Sequence, residues 1–149
     1  MNSDPRPPDS ARAPRVVQPE GWKRPRGYSN GMAARGELVA VAGMIGWDAQ
    51  ERLVSTEFLP QLEQALRNVV AVVHAAGGTA QDLVSLTIYV TDKRRYLAAG
   101  AELGRVYREV MGTHYPTMAL VQVADLLEEG AMVEIQGLAV LPVPLPESP

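Results

Sequence analysis

Proline sets the limits of what this chain can fold into, because each one fixes φ and removes a backbone donor that a helix interior or a central strand needs. Of the twelve prolines in 149 residues, six lie within 1–25 and four within 142–149, leaving only Pro60 and Pro116 between. Regular structure is therefore expected over residues 26–141, a length suited to one domain around one core. The flanks read as a flexible proline-rich arm over 1–25 and a proline-rich tail over 142–149. Val16, Val17 and Trp22 stand out in the arm as apolar enough to lie along the body as an edge segment.

Composition removes whole classes of chemistry. With no cysteine, disulfides, thiol nucleophiles and thiolate-held metals or clusters are excluded. His74 and His114 sit on different elements with no i,i+4 partner, so no metal site is expected. His74 is explained by a favourable position near a helix C-terminus. Gly77-Gly78 precedes a strand where a phosphate cradle would need a helix N-terminus, and no Gly-x-Ser-x-Gly elbow presents a serine nucleophile. Cofactors are accordingly expected to be none.

The net charge of −3 is unevenly spread: residues 1–26 carry +3 and the remainder −6. A short basic arm with little aromatic interleaving, on an acidic body, argues against nucleic acid as a partner. No apolar run is long enough to cross a membrane and no basic-plus-apolar leader opens the chain, so a cytoplasmic location with no membrane partner is expected.

Within the body, residues 38–43 form a short apolar run bounded by glycine, which reads as a strand covered on both faces. Gly43 and Gly46 flank Met44-Ile45, where a missing side chain leaves backbone open to a ligand or a neighbouring chain. Leu59, Leu62, Leu66, Val69 and Val73 recur at three and four, the stripe of a helix capped by Ser55 or Thr56 and closed at Gly77-Gly78. Val84, Leu86, Ile88 and Val90 alternate with Ser85, Thr87 and Tyr89 as a strand does. Asp92 caps a second helix ending at Gly112, whose interior Gly100 and Gly104 suggest close backbone packing. Strands over 117–124 and 131–141 complete a mixed sheet with two helices packed on one face, an α/β arrangement. Its other face needs a cover, and self-association supplies one.

Glu134 and Gln136 lie on one face of the last strand between Met132 and Leu138. A single acid on an apolar strand is either paired structurally or part of a pocket wall.

Several segments, in this order and spacing, resemble the RidA/YjgF family of enamine and imine deaminases. They are residues 27–31 (GYSNG), 38–46 (LVAVAGMIG), 75–78 (AAGG), 82–92 (DLVSLTIYVTD), 115–117 (YPT) and 133–140 (VEIQGLAV). The resemblance implies a chorismate-mutase-like fold and a homotrimer with pockets between subunits. It also implies cofactor-independent hydrolysis of short-lived enamines and imines to 2-oxo acids and ammonia. Carried over, Tyr28 matches a pocket tyrosine and Gly43 the glycine beside the ligand, while Met44, Thr117 and Tyr89 extend the expected lining. Met118 occupies the position of the arginine that clamps the substrate carboxylate, and Gln136 that of the glutamate that handles the hydrolytic water. Methionine offers no charge and glutamine cannot take a proton, so two functions stay open. One is a deaminase-like hydrolase of enamines, imines or related unsaturated metabolites. The other is a non-catalytic trimer that binds a small molecule for a catabolic pathway.

Overall fold

The computed structural model describes residues 13–144, so residues 1–12 of the expected arm and 145–149 of the expected tail lie outside the described residues. The chain runs β1 (Arg15–Val17), β2 (Gly31–Ala33), β3 (Glu37–Met44), α1 (Phe58–Ala75), β4 (Leu83–Val90), α2 (Lys93–Met111), β5 (Thr117–Gln122) and β6 (Val133–Leu141). A 3-10 turn over Ala80–Asp82 joins α1 to β4. Four strands form one mixed sheet in the order β3-β6-β4-β5, with β4 and β5 parallel and β6 antiparallel to both neighbours. A parallel pair needs a crossover between its strands, and α2 is that crossover.

Both helices pack on one face of the sheet. The α1 stripe of Leu62, Leu66, Val69 and Val73 is buried against Leu83, Leu86 and Val90 of β4 and Val133, Ile135 and Ala139 of β6. Each such side chain contributes about 1.5–3 kcal/mol of transfer free energy, which makes this interface the main source of stability. The N-cap position is Glu57, which makes no side-chain cap, and not the expected Ser55 or Thr56. Pro60 explains the offset, since it occupies the first turn, where its missing N–H has no partner to lose. Ser55 acts one step earlier, its Oγ accepting from the Glu57 N–H at 3.0 Å. At the other end Gly77 N–H donates to His74 O and Gly78 N–H to Val73 O, the paired bonds of a Schellman close.

Three further expectations are corrected. β3 is not covered on both faces: among the described residues it is an edge strand paired only with β6, and its Leu38 is 64% exposed. The alternation of β4 slips at its start, because a register shift between Leu83 and Ser85 puts Leu83 in the core and leaves Val84 half-buried. In α2 the glycines mark no close packing of the backbone against another element: the nearest atoms to a Cβ at Gly104 belong to the Arg108 guanidinium of the same helix. Gly100 has φ 49 and ψ −123, a kink in the helix, and a Cβ there would meet nothing. On the inner side of α2, Val106 is fully buried and Tyr96, Leu103, Tyr107 and Val110 pack as half-buried neighbours of the core.

The arm segment is paired chain from Arg15: β1 lies antiparallel to β2, with Val16 opposite Met32. Opposite the helices, the sheet face is open in the single chain, with Leu38, Val121 and Leu138 exposed on it.

Candidate functional site

Parity on β6 decides which side chains reach the open face. Val133, Ile135, Gly137 and Ala139 turn to the helices and are buried, so Glu134, Gln136 and Leu138 take the other side. Across the ladder Glu134 pairs with Tyr89 and Gln136 with Thr87, which brings all four to that side. The Tyr89 hydroxyl donates to Gln136 Oε1 at 3.3 Å. Gln136 is exposed, whereas Glu134 is half-buried.

Glu134 is tucked against the backbone of β3. A Cβ at position 43 would overlap its carboxylate, so glycine there is what lets the acid sit beside the strand. Gly43, Ile45, Trp47, Leu127, Glu128 and Glu134 line a cavity of about 110 Å³. Among the described residues no lysine or arginine lines it, so the potential there favours a positively charged group over an anion.

Two amides from α1 brace the loops around the site: Asn68 holds the Ile45 and Trp47 wall of this cavity, and Gln61 holds the neighbouring segments. Gln61, fully buried, donates through Nε2 to Ser55 O and Gly130 O, both at 2.9 Å, and its Oε1 accepts from the Met132 N–H at 2.8 Å. Asn68 Nδ2 donates to Ile45 O at 3.0 Å and to Trp47 O at 2.9 Å. Just beyond Trp47, the Asp48 carboxylate accepts from the Arg52 and Gln50 N–H groups, which holds it below the usual aspartate range.

A second group gathers where the arm meets β5. Ser29, buried, donates through N–H to Pro116 O at 3.1 Å and through Oγ to Tyr115 O at 2.6 Å, so Tyr28 is fixed beside the Tyr115-Pro116-Thr117 turn. Tyr115 stacks on Tyr107 with ring centroids 5.1 Å apart and planes at 9°. The Tyr107 hydroxyl donates to His114 O, and burial, with Tyr115 nearby, pushes its ionisation well above the usual tyrosine range. Thr117 Oγ1 donates to Val84 O at 2.8 Å.

The expected site residues thus fall into two groups in one protomer: Gly43, Glu134, Tyr89 and Gln136, and separately Tyr28 and Thr117. Thr117 pairs with Ser85 on one side of β4, and Glu134 with Tyr89 on the other. Four residues of strand separate those positions by about 13 Å. Met44 and Met118 lie against the core, and Met118 shares the helix-facing side with its ladder partner Leu86.

Sequence reasoning passed over Gln61, Asn68, Trp47 and Glu128. A signal existed for Gln61, which sits three residues before Gln64 and one before Leu62 at the edge of the apolar stripe, but its partners come from loops far along the chain. Among the described residues, no group of three His, Asp or Glu side chains is arranged to hold a metal ion. Nor is any described helix long and apolar enough to cross a membrane.

A family model described as Endoribonuclease L-PSP matches residues 22–141. A RutC family protein of Haemophilus influenzae is 33% identical over 105 residues, 70% of this chain and 80% of that protein. A 2-iminobutanoate/2-iminopropanoate deaminase of Salmonella typhimurium is 31% identical over 105 residues, again 70% of this chain and 80% of that protein. The crystal structure of YyfB from Yersinia pestis, a protein of unknown function in the conserved Rid family, superposes with a TM-score of 0.74 at 29% identity. That likeness covers 87% of this chain and 99% of YyfB, and it shares the mixed sheet with both helices on one face. Match by family model, by relatives and by fold over the same body establishes that the chain belongs to the RidA/YjgF family.

Proposed function

We propose that this protein is a deaminase-type hydrolase of enamines, imines or related unsaturated metabolites, working as a homotrimer with each pocket shared between subunits. The observation that carries the reading is the Glu134 carboxylate, half-buried and set against the Gly43 backbone on the wall of a small cavity. Membership in a family that includes a 2-imino acid deaminase supports it. The split of the site supports a shared pocket, because the Tyr28 group and the Glu134 group of one chain are too far apart to close on one small molecule. The open apolar face of the sheet supports assembly, since burying Leu38, Val121 and Leu138 against other copies removes exposed apolar surface.

The chemistry follows from what the residues offer. A protonated imine is a cation, and a cavity lined by Glu128 and Glu134 attracts it. Glu134 accepts a proton from water as the water oxygen bonds to the imine carbon. The nitrogen is then protonated, the carbon–nitrogen bond breaks, and ammonia leaves behind a carbonyl, so one imine and one water give one carbonyl compound and one ammonia. Gln136, expected at the position of the water-handling glutamate, is exposed and accepts from Tyr89. Its amide orients a ligand or water and exchanges no proton.

The reading is tested by ammonia release from an imine generated in place, with buffer hydrolysis subtracted. Glu134→Gln is expected to lower kcat/KM at least about 100-fold, the usual worth of a positioned acid or base. Release at the buffer rate by the natural protein, alongside tight binding of a small neutral ligand, would overturn the hydrolase in favour of the non-catalytic binding trimer.

A further inference from the structure

Between the arm and the turn that leads into β5 lies a cleft of about 740 Å³, larger than the cavity at Glu134. That volume is within the range of small-molecule sites. Trp22, Arg24, Arg26, Tyr28, His114 and Tyr115 are among its lining residues. Among the described residues, no aspartate or glutamate lines it. Among the described residues neither Arg24 nor Arg26 meets a carboxylate at ion-pair distance, although six other arginine–carboxylate contacts are formed elsewhere. The arm backbone that carries them is anchored. Gln18 Nε2 donates to Trp22 O at 3.2 Å, Asn30 Nδ2 donates to Gln18 Oε1 at 2.8 Å, and Ser29 is bonded to the Tyr115-Pro116 turn. His114 adds no acceptor on one side, because its Nε2 lies 2.7 Å from Leu83 O, a carbonyl that can only accept.

We propose that this cleft is a binding site for an aromatic or similarly planar carboxylate, with the acid group held by Arg24 and Arg26 and the ring held among Trp22, Tyr28 and Tyr115. Two guanidinium groups with no described acid beside them suit an anion with paired oxygens. Three rings along the same wall offer flat apolar surface to a planar body. The body of the molecule is acidic overall, so a cleft whose described lining carries arginines and no acid is where an anion can settle. The proposal deepens the proposed function by naming a substrate class, a carboxylate carried some distance from the reacting carbon, and it rests on that reading only for the fate of the bound molecule.

The test is calorimetric titration of the full chain with phenylacetate, phenylacetamide and acetate at low ionic strength. Phenylacetate is expected to bind at least about tenfold tighter than either control, since one lacks the charge and the other the ring. In Arg24→Ala/Arg26→Ala its affinity should fall to that of the amide, and in Trp22→Ala toward that of acetate. All three residues are exposed, so the variants are expected to melt with the natural protein. Equal affinity for acid and amide, or no change in the double arginine variant, would overturn the proposal. Imine hydrolysis is measured on the same preparations. Phenylacetate bound as expected without any turnover supports this site while sinking the hydrolase, and turnover without carboxylate binding overturns this site alone.

Discussion

At the scale of single residues, the site depends on polar side chains placed where apolar ones would be expected. Gln61 is the sharpest case: one buried amide satisfies the Met132 N–H and the carbonyls of Ser55 and Gly130. Gln61→Leu keeps the shape and leaves all three, and the amide's own buried place, without that pairing, and each group left unpaired away from water costs about 1–3 kcal/mol. Urea unfolding is expected to show a loss of roughly 3 kcal/mol or more; a loss below about 1 kcal/mol would mean that water takes over these bonds. Glu134 was legible from the sequence because a lone acid interrupts an apolar strand, and its partner Gly43 was legible as a glycine in a strand. Gln61 was not, because nothing local distinguishes a glutamine buried in a helix from one on its surface. Nor did spacing reveal that Met44 and Met118 turn to the core, since that is settled by ladder register with strands far away in sequence.

At the scale of elements, caps and kinks decide where helices run, and Asp92 is the clearest instance. Its side chain accepts from the Arg94 N–H at 3.0 Å as the α2 cap. That backbone bond, followed by the Arg94 side chain, holds the carboxyl below its ordinary value of 3.8. A group whose folded pKa is depressed lends stability above its unfolded pKa and loses it as pH falls through the folded one. Asp92→Asn keeps a capping oxygen but cannot titrate, whereas Asp92→Ala removes the cap. Thermal melts near pH 7 are therefore expected to rank the natural protein and Asp92→Asn above Asp92→Ala. As pH drops below 3.8 the natural protein should lose ground to Asp92→Asn, and a gap that stays constant with pH would contradict the assignment. This cap could be read directly from the sequence because Asp precedes an amphipathic stripe. The start of α1 could not be placed so well, because Pro60 shifts the boundary past two good capping residues to Glu57, which makes no cap. The bulge at Leu83 was equally hidden, since period-two alternation assumes the regular ladder that a bulge breaks.

At the scale of the whole molecule, the sheet has one face covered by helices and one left open, and the candidate site is divided between two places on the chain. Both features are what the proposed sharing of pockets between copies rests on. The need for a cover was visible in the sequence, because two helices cannot blanket both faces of such a sheet. The division of the site was not, because it depends on how β5 and β6 flank β4. The most direct test of a shared catalytic pocket uses two inactive variants, Glu134→Gln and Tyr28→Ala, each crippled in a different group. They are mixed, partly unfolded and refolded together, and the assembly of about three times the 16.1 kDa chain is isolated for ammonia release from an imine. If each pocket takes its Glu134 group from one subunit and its Tyr28 group from the next, random co-assembly restores about one quarter of the natural activity, because that share of pockets receives two intact halves. If activity stays at the level of the separate variants while mixed trimers are present, the two groups do not meet across subunits and the account is wrong.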